Sequence, residues 1–316
     1  MRLMYSILTC IIATWTYGAE VRTWTSQGGK TIEAEFIRAG NGRVLLRGID
    51  GKMMNTSFNA LSKEDQAFIT QLYKDMQEKI KAEAIAADEK VATAKADRQA
   101  EVLAKWKRGS IVSCVTTGKV QTSYHVYIPA TFDPDKPPPL VYAFSPGGNG
   151  KGQLNSMKQS AEKVGWIVVG CDKLKNGMDD KVGYEIEDAI FEDVQATVPH
   201  DSKRVFLSGM SGGAMRSYDI AARRHDIQFV GILAFGGWLG GAERQKELVF
   251  PKSLVVAIIN GNNDNNANAW VESDSKALKR YKRKVKYFTF PGGHTMAPTK
   301  VIDEAIAWMQ TQSLPK

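Results

Sequence analysis

From about residue 109 to the C-terminus the chain alternates continuous apolar runs with stretches long enough to hold a helix. The runs lie at 111–117, 120–128, 140–145, 166–171, 204–208, 229–235, 254–260 and 285–290. Uninterrupted apolar strands joined by helical crossovers predict a mostly parallel sheet covered by helices on both faces, an α/β architecture. The first two runs are joined at Gly118-Lys119 and predict an antiparallel hairpin at the sheet edge.

The N-terminal part reads differently. Runs at 31–37 and 43–47 alternate apolar and polar residues, and Gly28-Gly29, Gly40-Asn41-Gly42 and Asp50-Gly51 punctuate them. Closely spaced, half-buried strands of this kind predict a small barrel over 20–62. Leu61-Ser62-Lys63-Glu64-Asp65 reads as a helix start, with Ser62 as cap and Asp65 three residues later. Residues 63–108 contain neither Gly nor Pro and are dominated by good helix formers, which predicts a solvated helical linker. The first 19 residues carry Arg2, an apolar run at 3–13, and small residues at Thr16, Gly18 and Ala19. That is the pattern of a removable export signal, cleaved after Gly18 or Ala19, with Cys10 inside it. The run falls short of the ~20 residues of a membrane span. The expected location is periplasmic or extracellular.

A length of 316 residues suits two domains, and 43% apolar with 24% charged residues describes a globular chain, not a disordered one. The net charge of +8 raises the question of an anionic partner. Much of it sits in one run, Lys276, Lys279, Arg280, Lys282, Arg283, Lys284 and Lys286, which reads as the solvated face of a connecting helix. No nucleic-acid-binding motif accompanies it. Cys114 and Cys171 each sit in an apolar run, so one disulfide and two buried thiols are both open readings. No ligand spacing for a metal is present, and nothing calls for a cofactor.

The candidate chemistry centres on Gly209-Met210-Ser211-Gly212-Gly213, which follows a strand and precedes a helical stretch. In that context the motif forms a tight turn that lifts the serine hydroxyl to the sheet's carboxyl edge. Ser211 is therefore the candidate nucleophile. A serine needs a base, and His294 follows Gly292-Gly293 just after the last strand; His125, His200 and His225 fit less well. The base needs a carboxylate, and Asp264 lies in the turn Gly261-Asn262-Asn263-Asp264, giving the chain order Ser, Asp, His. Glu272 and Asp274 are the rival acids. An oxyanion needs backbone donors. Gly212 is one candidate, and Gly147 or Gly148 of Ser145-Pro146-Gly147-Gly148-Asn149-Gly150 is the second, since Pro146 has no N–H. The same stretch fails as a phosphate loop, because Lys151 is followed by Gly152.

Two resemblances follow from these residues. Arg22-Thr23-Trp24-Thr25, Gly29-Lys30-Thr31-Ile32-Glu33-Ala34, Asp50-Gly51-Lys52 and Leu61-Ser62-Lys63-Glu64-Asp65-Gln66 resemble the Sla homology domain 1 family. That resemblance implies an SH3-like module with a short peptide or a protein as its ligand. Tyr127-Ile128-Pro129, Pro139-Leu140-Val141, the stretch 203–214 around Ser211, and Pro291-Gly292-Gly293-His294 resemble secreted α/β-hydrolases. The type is that of polyhydroxybutyrate depolymerases and feruloyl or acetyl-xylan esterases. It implies an exported serine esterase over 109–316 whose substrate is a carbohydrate-linked ester or a polyester. Those enzymes usually carry His-Gly where this chain has Ser145-Pro146. The alternative reading is an adaptor-like binding protein whose hydrolase domain no longer turns over.

Overall fold

The computed structural model describes residues 20–280 and 282–313. The expected export segment, 1–19, lies outside them. The chain divides into two compact units, Met1–Lys95 and Ala96–Lys316.

The smaller unit is a four-stranded antiparallel meander of β1 (Val21–Thr25), β2 (Thr31–Gly40), β3 (Arg43–Gly48) and β4 (Met53–Ser57). A one-turn 3-10 helix, Phe58–Ala60, leads to α1 (Lys63–Lys105), whose first turns belong to this unit. The alternating patterns at 31–37 and 43–47 are β2 and β3. Trp24, Ala34, Val44, Leu46, Leu61 and Ile69 form the core, and the Trp24 indole N–H donates to the Ala34 carbonyl at 2.9 Å. The helix start is capped as its residues suggest: the Asp65 N–H donates to Ser62 Oγ at 3.2 Å. The Asp65 carboxylate is buried and accepts from Ser62 Oγ (3.0 Å), the Thr25 N–H (2.7 Å) and Arg22 Nη2 (2.8 Å). One side chain thus closes the cap and ties the helix to β1.

The larger unit contains an eight-stranded sheet. In chain order its elements are β5 (Ile111–Val115), β6 (Ser123–Tyr127), β7 (Leu140–Phe144), α2 (Gly150–Val164), β8 (Ile167–Cys171), α3 (Asp180–Thr197), β9 (Val205–Met210) and α4 (Gly212–Arg223). There follow β10 (Phe229–Phe235), α5 (Ala242–Glu247), β11 (Val255–Gly261), α6 (Asn265–Asn268), α7 (Val271–Arg280), β12 (Lys284–Phe290) and α8 (Thr299–Ser313). The spatial order is β12-β11-β10-β9-β7-β8-β6-β5. All neighbours are parallel except β6, which runs against β5 and β8. Each apolar run of the sequence became a strand, and the opening pair is the edge hairpin. Residues of β7 to β11 are buried on both faces. Tyr142 stacks on Phe191 (ring centroids 4.0 Å apart) in one core cluster, and Trp166 on Phe206 (4.2 Å) in the other. No helix among the described residues is long and apolar enough to cross a membrane.

Cys114 is registered opposite Tyr124, and Tyr124 opposite Cys171. The cysteines are thus two strand spacings apart, about 10 Å. That exceeds the ~7 Å a disulfide can bridge. Both are free thiols, which excludes the disulfide reading, and burial pushes both pKa values up.

The larger unit begins at Ala96, ahead of the boundary near residue 109 that composition suggests. The reason is the apolar content of the last turns of α1. Val102 and Leu103 pack on the core, and Trp106 is buried with its indole N–H on the Thr197 carbonyl at 3.1 Å. Losing a buried Trp side chain costs about 3–5 kcal/mol. At ~2–4 °C per kcal/mol for a unit of this size, a chain starting at Gly109 should melt roughly 10 °C below one starting at Ala96. Equal melting temperatures by calorimetry would show that Trp106 adds nothing to this unit.

Candidate active site

β9 ends at Met210, and α4 begins at Gly212. Between them Ser211 has φ 55° and ψ −118°, a backbone conformation unfavourable for any side chain. Neighbouring backbone holds it there. The Ser211 N–H donates to Phe235 of β10 at 2.7 Å, and the Ser211 carbonyl accepts from Ala214 at 2.9 Å. A Cβ on Gly209 would lie 2.2 Å from the Gly213 carbonyl, and one on Gly213 2.2 Å from the Phe144 carbonyl oxygen. Both glycines are therefore required by close backbone approach. The result is a half-buried serine raised at the carboxyl edge of the sheet. The first amide of α4, that of Gly212, has no acceptor within its helix.

Asp264 follows β11. Its Oδ1 caps α6 by accepting from the Ala267 N–H at 3.2 Å, and its Oδ2 meets His294 Nδ1 at 2.7 Å. The Asp264 side chain is 2% exposed and that of His294 47%. A buried carboxylate accepts only, so Nδ1 carries the proton and Nε2 is left basic. The loops carrying the two residues are joined by main-chain bonds, Asn262 to Phe290 and Asn263 to Gly292, both 2.8 Å. Gly236 and Gly237, just after β10, link this pair to the serine. A side chain on Gly236 would come within 3.1 Å of Asp264 Oδ2 and 3.2 Å of His294 Cε1. One on Gly237 would come within 2.9 Å of the Ser211 carbonyl. Ser211, Asp264 and His294 therefore surround one patch of the sheet edge. Ser211 Oγ and His294 make no direct hydrogen bond here; such bonds commonly tighten only when substrate is bound. The sequence reading missed Gly236-Gly237, although a glycine pair at the carboxyl end of an apolar run was a usable signal.

The rival acids do not bond to His294. Glu272 is exposed and pairs with Lys276 at 2.5 Å. Asp274 is buried on α7, where it accepts from the Leu239 N–H at 3.0 Å and Gln245 Nε2 at 2.8 Å. Burial pushes its carboxyl up from 3.8 to about 6, against those two hydrogen bonds. The folded chain thus holds this proton at pH values where the unfolded chain has released it, so stability falls as pH rises from about 4 to about 6. Asp274→Asn removes the titration and keeps an acceptor for Leu239. Relative to the parent, the variant should gain about 2 kcal/mol between pH 4 and 7 in denaturant titrations. A parent that gains on the variant over that range would overturn the assignment. Two other histidines are engaged elsewhere, and His225 is exposed just after α4. His125 lies between Ser113 Oγ (2.9 Å) and Asp172 Oδ2 (3.0 Å), and His200 sits on the Val198 carbonyl (2.7 Å), its pKa lowered mainly by burial.

The loop after β7 is shaped by Ser145. Its hydroxyl accepts from the N–H of Gly147 (3.2 Å) and of Asn149 (3.0 Å), and its carbonyl accepts from Gly148 (3.2 Å). Gly148 has φ +72°, and a Cβ there would lie 3.0 Å from the Lys173 carbonyl carbon. Gly147 is exposed, its φ is ordinary, and a Cβ would meet nothing closer than 4.0 Å. The two glycines thus differ: Gly148 holds the loop's shape, and Gly147 is the exposed position with room for a side chain. If Gly147 lines the oxyanion position, Gly147→Val should keep the parent's melting temperature and lose roughly 100- to 1,000-fold in kcat by crowding that position. Gly148→Val should lower both stability and activity. A near-normal kcat for Gly147→Val would remove Gly147 from the oxyanion site.

Two further residues escaped the sequence reading. Trp238, two residues beyond Gly236, and Trp270, six beyond Asp264, pack their rings with centroids 4.2 Å apart and planes at 33°. Both are half-exposed, belong to neither core cluster of this unit, and rise from loops at the carboxyl edge of the sheet.

Comparison with solved structures agrees with this topology. The CE1 ferulic acid esterase of Anaeromyces mucronatus, solved with ferulic acid, is 20% identical, with 62% of this chain and 89% of that chain covered, at a TM-score of 0.50. The larger unit has the α/β-hydrolase fold. An S-formylglutathione hydrolase from Agrobacterium tumefaciens (15% identical, 65% and 95% covered, TM-score 0.50) shares it. So does Est1E from Butyrivibrio proteoclasticus (13%, 63% and 98%, TM-score 0.51). Residues 17–77 match the family SLA1 homology domain 1, SHD1. Among curated proteins, none matches the chain in sequence.

Proposed function

We propose that the hydrolase unit is a serine esterase that cleaves carboxylic esters through an acyl-enzyme. The observation that carries this reading is the 2.7 Å contact between His294 Nδ1 and the buried Asp264, on the same sheet edge as Ser211 in its positive-φ turn. Ser211 Oγ adds to the ester carbonyl carbon while His294 Nε2 takes its proton. The carbonyl electron pair moves to oxygen, where the Gly212 and Gly147 amides stabilise it. Collapse breaks the bond to the alcohol oxygen, which receives the proton from His294. Water, deprotonated by the same histidine, then releases the acid and restores Ser211. Asp264 fixes the tautomer and offsets the charge on the imidazolium.

The tilted Trp238–Trp270 pair favours a ring-bearing substrate, because aromatic faces pack on rings better than on flexible chains. A carbohydrate-linked ester suits it better than a linear polyester. In this reading the chain is exported by its N-terminal apolar segment. The smaller unit is a binding module for a peptide or protein. Supporting that role is an open groove of about 710 Å³ lined by Arg43, Phe58, Ile69 and Tyr73 among others. A fluorophosphonate probe followed by peptide mapping tests the core claim, with modification expected at Ser211. An ester panel on the full chain then ranks substrates. A protein that neither reacts with the probe nor cleaves any ester is a binding protein on a hydrolase fold.

A further inference from the structure

We propose that Asn176 is a side-chain donor to the oxyanion formed at Ser211, an inference that rests on the esterase reading above. The loop after β7 has few amides to offer. Pro146 has no N–H, the Gly148 N–H is bonded to the Ser145 carbonyl, and the Gly147 and Asn149 amides share the Ser145 hydroxyl. The loop after β8 brings a further polar group to the same place. Its main chain is fastened to the loop after β7 by two bonds of 2.9 Å, the Lys173 N–H on the Gly148 carbonyl and the Asn176 N–H on the Pro146 carbonyl. Leu174, between them, is buried in the core.

That attachment lays the Asn176 side chain directly on Gly212. A Cβ on Gly212 would lie 1.8 Å from Asn176 Oδ1, 2.5 Å from its Cγ and 2.7 Å from its Nδ2. The amide therefore occupies the space a side chain would take at the residue after the nucleophile, whose own N–H is the first oxyanion donor. Asn176 is exposed, and neither end of its amide bonds to protein among the described residues. A half-turn about χ2 exchanges the two ends, so the N–H₂ can face the site without backbone movement. Asn176 thus stands between the Gly212 amide and the proline-containing loop, with two donors free. When Ser211 Oγ bonds to the carbonyl carbon and the π pair moves to oxygen, the Nδ2 donor stabilises the new charge. Its proton stays on nitrogen throughout.

The test uses the full chain and a soluble ester, with Asn176→Ala, Gly212→Ala and the double variant. Affinity for a trifluoromethyl ketone is the second readout, because addition of Ser211 to it creates a tetrahedral oxyanion. Asn176→Ala should keep the parent's melting temperature, lose roughly 100- to 1,000-fold in kcat with KM nearly unchanged, and bind the ketone correspondingly more weakly. Gly212→Ala keeps its main-chain N–H but displaces the Asn176 amide, so it should show a loss of the same kind. The double variant should be no worse than either single one. If Asn176 merely fills space over Gly212, the alanine methyl fills it instead, and Gly212→Ala would restore activity to Asn176→Ala. That result, or a near-parental kcat for Asn176→Ala in an active enzyme, overturns the proposal and leaves the esterase reading standing. A parent chain inert toward every ester and the probe overturns both.

Discussion

Replacing Ser211 with alanine is expected to lower kcat for ester hydrolysis on the order of a million-fold while leaving the fold intact. In the proposed mechanism the loss is that large because the covalent step disappears, and histidine and aspartate without a nucleophile act little better than one alone. The fold should survive because Ser211 Oγ has no hydrogen-bond partner among the described residues, so its removal leaves no buried group unpaired. The turn is held by main-chain bonds to Phe235 and Ala214 and by the contacts of Gly209 and Gly213, none of which involves the hydroxyl. Steady-state kinetics and a melting curve on the same preparation check both halves. A Ser211→Ala protein with parental turnover would remove Ser211 as nucleophile.

Asp264→Asn is expected to cost about 10,000-fold in kcat, by reversing the tautomer of His294. The asparagine carbonyl can still accept from the Ala267 N–H, so the cap of α6 and the loop around it remain. The other end of the amide then faces His294 Nδ1, where the carboxylate Oδ2 stood at 2.7 Å. An NH₂ group donates to Nδ1, which must give up its proton, and the proton moves to Nε2. A histidine protonated at Nε2 cannot accept one from Ser211. Volume and burial are nearly unchanged, so the variant separates electrostatic orientation from packing. Turnover within ten-fold of the parent would show that Asp264 serves the cap of α6 and not the histidine.

How legible these features were depends on the distance along the chain over which each is decided. Five strands of the hydrolase unit, β7 to β11, were readable because burial on both faces demands an unbroken apolar run. The edge hairpin was readable from its short connection, and the Ser62–Asp65 cap from a spacing of three residues. The turn at Ser211 was readable for the same reason, since glycines on either side of a serine after a strand permit that backbone and little else. β1 and β4 were harder. They are five residues long, and their burial comes from neighbouring strands and the start of α1, not from a pattern of their own.

By itself, the sequence determined the strands of the larger unit, its mostly parallel class and the candidate serine, histidine and aspartate, because these rest on local pattern and chain order. Tertiary structure decided which groups meet. Asp264 and not Asp274 faces His294, because the loops after β11 and β12 are joined while α7 turns Asp274 toward Leu239. Cys114 and Cys171 stay apart because Tyr124 is registered between them. Gly147 and Gly148 look alike in sequence, and the positive φ of Gly148 and its contact with the Lys173 backbone tell them apart. Asn176 and the Trp238–Trp270 pair carry no motif at all. Their place follows from the register of strands far apart in the chain, which no short stretch encodes.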